Sequence, residues 1–284
     1  MRIAILSEAT ASARHERLLK AAEVRGHTVQ PLRLSYCYMN ISAVTPKVFY
    51  RDGVVKDVDA IIPLIESAQT LYGASVLRQF EMMGTLLLNS PLAITWSRDK
   101  LRVLQWLTRK KIHMPITGFA DSPQETERLV SLVGGAPLIV KLLEGTEGRG
   151  TIFAETRHAA VSVINAFKQL KVNILVQEFI RSDKGGDIRC LVLDGKVVAA
   201  IHRSANKREC TAIKITAEER KMAIHATGSM KLNLAAVDLI RSERGPLFLD
   251  INANPNWVPI EQATGKDVAG LIVDFLAEHL AQGR

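Results

Sequence analysis

Aromatic side chains make up only 5% of this sequence, and its cysteines number three, Cys37, Cys190 and Cys210. Three widely spaced thiols exclude a disulfide framework and a zinc pattern. Cys37 and Cys190 stand among apolar neighbours, the setting of buried thiols rather than reactive ones. No apolar run reaches the roughly 18 residues of a membrane span, so no membrane partner is expected. Met1-Arg2-Ile3-Ala4-Ile5-Leu6 reads directly into a strand, which predicts no signal peptide and a cytoplasmic chain. The glycine fingerprint of a dinucleotide-binding strand-to-helix turn is missing after that strand, and no Walker loop occurs anywhere. Low complexity and internal repeats are also missing.

What remains is ordinary globular composition, 47% hydrophobic and 23% charged over 284 residues, enough for one large domain or two to three small ones. The net charge of +8 fits an anionic partner such as nucleotide phosphates or an acidic peptide. Basic residues are scattered, with Arg109-Lys110-Lys111 the densest cluster, which speaks against a nucleic-acid stripe.

The pattern opens with a strand over 1–6, a helix over 14–25 ending at Gly26, and a strand over 28–32, a βαβ unit that implies a parallel sheet. Arg51-Asp52-Gly53 between Val48-Phe49-Tyr50 and Val54-Val55 signals a hairpin. A strand over 60–64 and an amphipathic helix over 72–84 complete a substrate-side domain of about 95 residues. Ser97 is expected to start the next helix, with Lys100 in its first turn, where a cation opposes the helix dipole. Two readings fit: Asp99 compensates Lys100, or an anion lies nearby. Ser122-Pro123-Gln124-Glu125 reads as the cap of a helix running to about Val133.

Residues 137–143 form an apolar strand interrupted by Lys141. A buried ammonium needs a partner, so an anion is expected at the end of that strand. Glu144-Gly145-Thr146-Glu147-Gly148-Arg149-Gly150 follows, and glycine-rich backbone can wrap phosphate oxygens with its amides. Three glycines alone describe an ordinary turn; beside Lys141 the phosphate reading leads. A strand over 173–180 ends in Gln177-Glu178-Phe179-Ile180, either a plain strand end or an edge for adenine with Phe179 against the ring. Asp187 and Arg189 share one face of a hairpin that turns at Asp194-Gly195 and returns to Arg203. Thr216-Ala217-Glu218-Glu219 is a capping box for a helix to about Met230, and a closing helix covers 267–281.

Residues 235–240 and 247–252 are expected to pair as a hairpin, each strand carrying one acid in an apolar run. Strand alternation puts Asp250 and Asn252 on one face, with Leu249 and Ile251 turned into packing. Asp238, Asp250 and Asn252 then offer hard oxygen donors of the kind that hold Mg²⁺ jointly with substrate phosphates. The competing reading is that each merely ends a strand.

Taken in order, two lysines, a glycine loop, a strand-end hinge and an acid–acid–Asn set resemble the ATP-grasp superfamily. Ser35-Tyr36-Cys37-Tyr38-Met39-Asn40-Ile41, Leu77-Arg78-Gln79-Phe80-Glu81-Met82, Arg98-Asp99-Lys100-Leu101-Arg102, Gly134-Gly135-Ala136-Pro137-Leu138-Ile139-Val140-Lys141 and Asp187-Ile188-Arg189-Cys190-Leu191-Val192 resemble, within it, the RimK-like α-L-glutamate ligases. The resemblance spans essentially the whole chain. It implies an α+β ATP-grasp fold: an N-terminal α/β domain over 1–95, then two ATP-grasp lobes over 96–284, the phosphate-loop lobe at 96–180 and the metal lobe at 181–284. It also implies a ligase that uses ATP to activate a peptide carboxylate, such as a ribosomal-protein C-terminus, for attack by the amine of glutamate, and a homo-oligomeric assembly.

Carried over by motif, Lys100 and Lys141 hold phosphates and the loop bearing Gly145, Gly148 and Gly150 closes over them. Gln177, Glu178, Phe179 and Ile180 meet adenine, and Asp187 lies on the ribose side. Asp238, Asp250 and Asn252 hold Mg²⁺, or Mn²⁺ in its place. Arg189 and Arg203 are the candidates to polarise an acyl oxygen or bind a carboxylate. The bridging acid is usually Glu in this family and is Asp250 here. The segment after Arg203 is shorter than in the family, leaving Arg189, Arg203 and Arg208 as the candidate cations, with Arg203 and Asn206 expected to replace part of the family's Arg-Ser-Asn, and Asn254-Pro255-Asn256-Trp257 stands where the family has a Ser-Pro-Gly signature. The shortened segment supports a second reading, an ATP-binding homologue with lost or altered ligase activity that acts as a binding or regulatory protein.

Overall fold

The computed structural model describes residues 1–282 apart from Thr10, 121–125, 144–149, 183–184 and 206–208. β1 (Arg2–Ser7) is buried from Ile3 onward, as a strand covered on both faces must be. The Ser12 side chain caps α1 (Ala13–Val24), accepting from the His15 backbone N–H. β2 (Thr28–Arg33) then pairs parallel to β1. β3 (Cys37–Asn40), β4 (Lys47–Tyr50) and β5 (Gly53–Val54) make a small antiparallel sheet that contains the expected hairpin. β6 (Ala60–Leu64), α2 (Thr70–Met82) and β7 (Leu86–Leu87) complete a parallel sheet of order β2-β1-β6-β7. Cys37 is buried, and burial, with the Glu8 charge, pushes its thiol up to about 11, which removes it from thiolate chemistry.

His15 is 3% exposed and sits between two hydroxyls, Ser7 Oγ at 2.8 Å from Nε2 and Ser12 Oγ at 2.7 Å from Nδ1. Burial, then the Arg14 charge, hold its pKa below the ordinary imidazole value. The unfolded chain therefore binds the proton more readily than the fold. Stability from this group is present above about pH 6.5 and is lost as pH falls below it, at up to about 1.4 kcal/mol per pH unit. The urea midpoint is expected to drop between pH 7 and pH 5, and to drop less steeply in His15→Gln. Parallel slopes in the two proteins would remove His15 as the linked group.

The next segment corrects the sequence reading. Ser97 does not open a helix; it lies near the end of α3 (Pro91–Arg98), and α4 (Lys100–Arg109) starts separately. Asp99 is the cap, its carboxylate accepting from the Arg102 backbone N–H at 3.0 Å and lying 3.5 Å from the Arg102 side chain. β8 (Thr117–Ala120), α5 (Thr126–Leu132), β9 (Leu138–Leu142), β10 (Thr151–Ala154), α6 (Arg157–Gln169) and β11 (Ile174–Glu178) follow, with an antiparallel sheet of order β10-β9-β11-β8. The expected cap at 122–125 lies outside the described residues. β11 stops at Glu178, so Phe179 and Ile180 lie beyond the strand in which they were expected.

β12 (Asp187–Leu193) and β13 (Lys196–Arg203) form the expected hairpin, with Asp194 and Gly195 both at positive φ in its turn. β14 (Cys210–Ala212) leads to α7 (Ala217–Ser229), which carries the complete Thr216/Glu219 capping box. β15 (Leu234–Ser242) and β16 (Gly245–Asn252) complete a sheet of order β14-β13-β12-β15-β16, and α8 (Val258–Thr264) and α9 (Val268–Gln282) close the chain. Leu249 is half-buried rather than packed inside, while Leu247, Phe248 and Ile251 are buried.

These elements gather into two compact units. The first comprises Met1–Arg98, Gly186–Leu239 and Asp250–Arg284. Its core is continuous from Ile3, Ile5 and Ile62 of the parallel sheet, through Leu191, Ile201 and Ala236, to Trp257 and Val273. Asn89, 1% exposed, uses all four hydrogen-bonding positions of its amide inside this unit. Its Nδ2 donates to Leu234 O and Ala253 O, and its Oδ1 accepts from the backbone N–H groups of Asn233 and Leu234. Arg25 of α1 clamps α9, donating to Asp274 at 2.6 Å. The second unit comprises Asp99–Gly185 and Ile240–Leu249, with its core at Leu129, Leu138, Val140, Ile164, Ile174 and Val176. No helix among the described residues is long and apolar enough to cross a membrane.

Candidate active site

In the second unit the candidate phosphate groups gather at the end of β9. Lys141 is half-buried, not fully buried as the apolar run implied, and its Nζ donates to Gln177 Oε1 at 2.7 Å. Gln177, 3% exposed, in turn donates from Nε2 to Thr117 Oγ1 at 2.9 Å. The amide thus fixes the ammonium without neutralising it, and Gln177 works here as a side chain that sets Lys141. Lys100, at the first position of α4, reaches the carbonyl of Leu142 at 3.4 Å. The Leu142 N–H donates to Gly150 O at 2.9 Å, so one residue ties Lys100 and the returning end of the loop together. Gly150 has φ +88°, and a Cβ there would meet the Leu142 side chain at 2.6 Å. Gly145 and Gly148 lie outside the described residues.

Beyond β11, Phe179 is 37% exposed and lies 4.8 Å from Phe153, ring centre to ring centre, at 56°. Phe153 was not singled out by sequence. Its position opposite Ile139, in the strand that follows the loop, was the available signal. The Glu178 backbone N–H already donates to Ile116 O, and its carboxylate accepts from the Ile116 N–H and from Arg244. Ile180 is half-buried after the strand.

In the first unit, strand register builds an alternating network of charge. Arg189 on β12 stands opposite Asp238 on β15, and Asp187 stands opposite Arg203 on β13. Arg189 grips Asp238 with two bonds of 2.8 Å. Arg203 grips Asp187 at 2.6 and 2.7 Å, and its Nη2 also lies 2.7 Å from Asp238 Oδ2. Burial pushes the Asp238 carboxyl up, but Arg189 and Arg203 together outweigh it and hold the group far below the usual carboxylate range. Burial lowers both guanidinium values, and the Asp238 and Asp187 carboxylates, through charge and hydrogen bonds together, more than reverse it. Gly186, at φ +79°, makes this possible, because a Cβ there would overlap the backbone of Arg203.

This geometry changes the reading of the two arginines. Each spends Nε and Nη2 on carboxylates inside the sheet, so that edge of the guanidinium is committed to the network. Asp187 is likewise held by Arg203. Asp250 is exposed, with Oδ1 accepting from the Ile251 N–H, and its charge acts on Arg189. Asn252 Oδ1 accepts from the Asn254 N–H at 2.9 Å. No cluster of three or more His, Cys, Asp or Glu able to hold a metal ion occurs among the described residues. The donors that do fit a cation are hard oxygens, one exposed carboxylate and one amide, with Asp238 behind them. That is enough for Mg²⁺ only where substrate phosphates supply further ligands. Asn206 and Arg208 lie outside the described residues.

Residues 1–94 match the RimK PreATP-grasp domain, and residues 97–276 match the RimK-like ATP-grasp domain. A probable alpha-L-glutamate ligase of Aliivibrio fischeri (strain MJ11) is 50% identical over 294 aligned positions, covering 100% of this chain and 98% of the relative. Probable alpha-L-glutamate ligase 1 of Hahella chejuensis (strain KCTC 2396) is 51% identical over 286 positions, covering 97% and 94%. Among solved structures, the ATP-grasp ligase PsnB complexed with minimal precursor, Mg and ADP has a TM-score of 0.78 at 19% identity, covering 98% of each chain. A RimK domain ATP-grasp protein from Sphaerobacter thermophilus has a TM-score of 0.76 at 20% identity, covering 97% of this chain and 99% of that one. These last two establish a shared ATP-grasp fold.

Proposed function

The chain belongs to the RimK-like family of ATP-grasp ligases, enzymes that form an amide bond, and from that premise we propose that it adds glutamate to the C-terminal carboxylate of a peptide or protein, a ribosomal protein being one such acceptor. The single observation carrying the choice of glutamate is half identity, over the full chain, to relatives named probable alpha-L-glutamate ligase. The alternative of a nucleotide-binding protein without ligase chemistry is set aside on the same ground.

In this reading the acceptor carboxylate attacks the terminal phosphorus of ATP and ADP leaves. The amine of the incoming amino acid then attacks the acyl carbon, phosphate leaves, and the amine gives up a proton. Lys100 and Lys141 offset phosphate charge, a role that depends on the Gln177 and Leu142 contacts holding both cations at the end of β9. Phe153 and Phe179 present an apolar platform to the adenine ring. Asp250 and Asn252 would hold magnesium, with Asp238 as the buried charge on the adjoining strand; manganese would suit the same oxygen set. The metal, when bound, neutralises charge developing on the transferred phosphoryl group. Arg189, Arg203 and Asp187 act as positioning residues that fix Asp238.

The test offers ATP, magnesium, glutamate and peptides ending in a free carboxylate, and follows ADP and peptide mass. ADP release should require both amino acid and acceptor, and the peptide should gain glutamyl residues. A protein that binds Mg-ATP but releases no ADP with any such pair would overturn the reading.

A further inference from the structure

On α1, Arg17 is followed by Lys20, Ala21 and Val24 at the helical intervals of three, four and seven, so the four share one face. A cavity of about 460 Å³ opens between this face and the residues that join α8 to α9, all within the first compact unit. That is room for a small organic ligand. No residue lining it has a part in the proposed phosphoryl chemistry.

Four of the lining residues are cations and two are acids. Each acid spends both of its oxygens on the fold. Glu261, 7% exposed, accepts from Arg17 at 2.6 Å through Oε2 and from the Ala269 backbone N–H at 3.0 Å through Oε1. Asp267 accepts from the Gly270 N–H at 2.8 Å through Oδ1 and from Arg25 at 3.2 Å through Oδ2. Together with the grip of Arg25 on Asp274, these contacts cap α9 and fasten it to α1. Lys20 and Lys266 take no part in that work. Both are exposed, and neither side chain forms an ion pair or a hydrogen bond among the described residues. Glu16 and Glu23, one turn to either side of Lys20, do not pair with it. Arg17 gives only Nη1 to Glu261 and its side chain is 39% exposed, so Nε and Nη2 remain open.

The cavity thus has two uncompensated ammoniums and the open edge of a guanidinium. Arg17 and Lys20 are like charges three apart on a helix, a pairing that repels. Lys266 brings a further cation to the opposite wall. An anion between the walls relieves this repulsion. A phosphate monoester at neutral pH carries close to two negative charges and three acceptor oxygens, matching two lysines and one guanidinium edge. A single carboxylate brings half that charge and two oxygens. Beside the cations, Ala21 and Ala269 are buried and Val24 is 76% exposed, an apolar floor for the body of such a ligand.

We propose that the cavity between α1 and the α8–α9 junction binds a phosphate monoester with a small apolar body. Lys20, Lys266 and the open edge of Arg17 hold the phosphate, and Val24 with the two alanines carries the body. The site is separate from the candidate active site and does not rest on the ligase reading.

The test uses phenyl phosphate as the probe, titrated calorimetrically into the full chain. Magnesium and a saturating non-hydrolysable ATP analogue are present, so that the proposed nucleotide site is already filled. The parent should bind one equivalent of phenyl phosphate under these conditions. Lys20→Gln and Lys266→Gln should each weaken binding about tenfold, the loss of one charge-assisted contact. Val24→Glu brings a negative charge to the floor and should remove measurable binding. Lys221→Gln on α7 changes net charge equally, and should leave the affinity within about twofold. All four positions are exposed, so the fold should hold. Benzoate, with the same ring and a carboxylate, should bind at least about tenfold more weakly than phenyl phosphate. A parent that binds no phenyl phosphate, or binds it only until the ATP analogue is added, overturns the proposal. So does an affinity unchanged in Lys20→Gln, Lys266→Gln and Val24→Glu, or an equal loss in Lys221→Gln. Benzoate binding as tightly as phenyl phosphate overturns the assignment to phosphate.

Discussion

Asp238→Asn is expected to lower unfolding stability by about 3–5 kcal/mol, whereas Asp250→Asn should change it by less than about 0.5 kcal/mol. The two acids stand on adjoining strands and were read together from sequence, yet their surroundings differ sharply. Asp238 is 7% exposed and shared by Arg189 and Arg203. An amide there leaves two guanidiniums facing a neutral group and turns an N–H₂ towards donors. Asp250 is exposed, so its replacement disturbs no packing. The functional order should be different: Asp250→Asn should reduce magnesium-dependent ADP release by about a hundredfold or more, the scale of removing one electrostatic stabiliser from a reacting centre. Urea denaturation and ADP release on the same preparations check both halves. Equal destabilisation by the two substitutions would show that the arginine network is not what holds Asp238, and unchanged turnover in Asp250→Asn would remove it from the metal site.

Lys141→Met should weaken Mg-ATP binding about ten- to a hundredfold, from the roughly 1.5–3 kcal/mol that a charge-assisted contact carries. Methionine keeps the length and packing of a half-buried chain, so the melting temperature should hold. The substitution also releases Gln177 Oε1, which has accepted from Nζ at 2.7 Å. Gln177→Leu therefore gives an independent arm. With the lysine charge retained but its guide removed, nucleotide affinity should fall by less than in Lys141→Met. Calorimetric affinity equal to that of the parent in Lys141→Met would place the phosphates elsewhere.

Local signals in the sequence fared well because short-range chemistry decides them. The apolar run before Ser7, the Thr216/Glu219 box and the Asp194-Gly195 turn each specify an element without help from distant residues. Ser97 failed as a helix start for the same kind of reason: Ser90-Pro91 had already opened a helix, and the Ser90 hydroxyl accepts from the Ala93 N–H at 3.2 Å. Asp99 then capped the one after it. At the candidate site, the identities of the charged residues were legible but their partners were not. Arg189 and Asp238 meet through the register of two strands with a hairpin and a helix between them, and no spacing rule predicts that. The same holds for Arg14 and Asn254, 240 residues apart. Consequently Arg189 and Arg203 looked available to a substrate when in fact each is held within the sheet.

The clamp between Arg25 and Asp274 joins residues 249 positions apart. On a ribosome adding roughly 5–20 residues per second, the first of these helices waits on the order of ten to fifty seconds for the second. Through that interval Leu18 and Ala22, which end up wholly buried, have no α9 to cover them. Most of the second unit, Asp99–Gly185, is contiguous and is synthesised meanwhile. Birth order and assembly order are thus inverted for the opening βαβ unit, and the nascent chain carries an uncovered apolar helix face for most of its synthesis. Slowed translation would lengthen that interval without altering the finished fold.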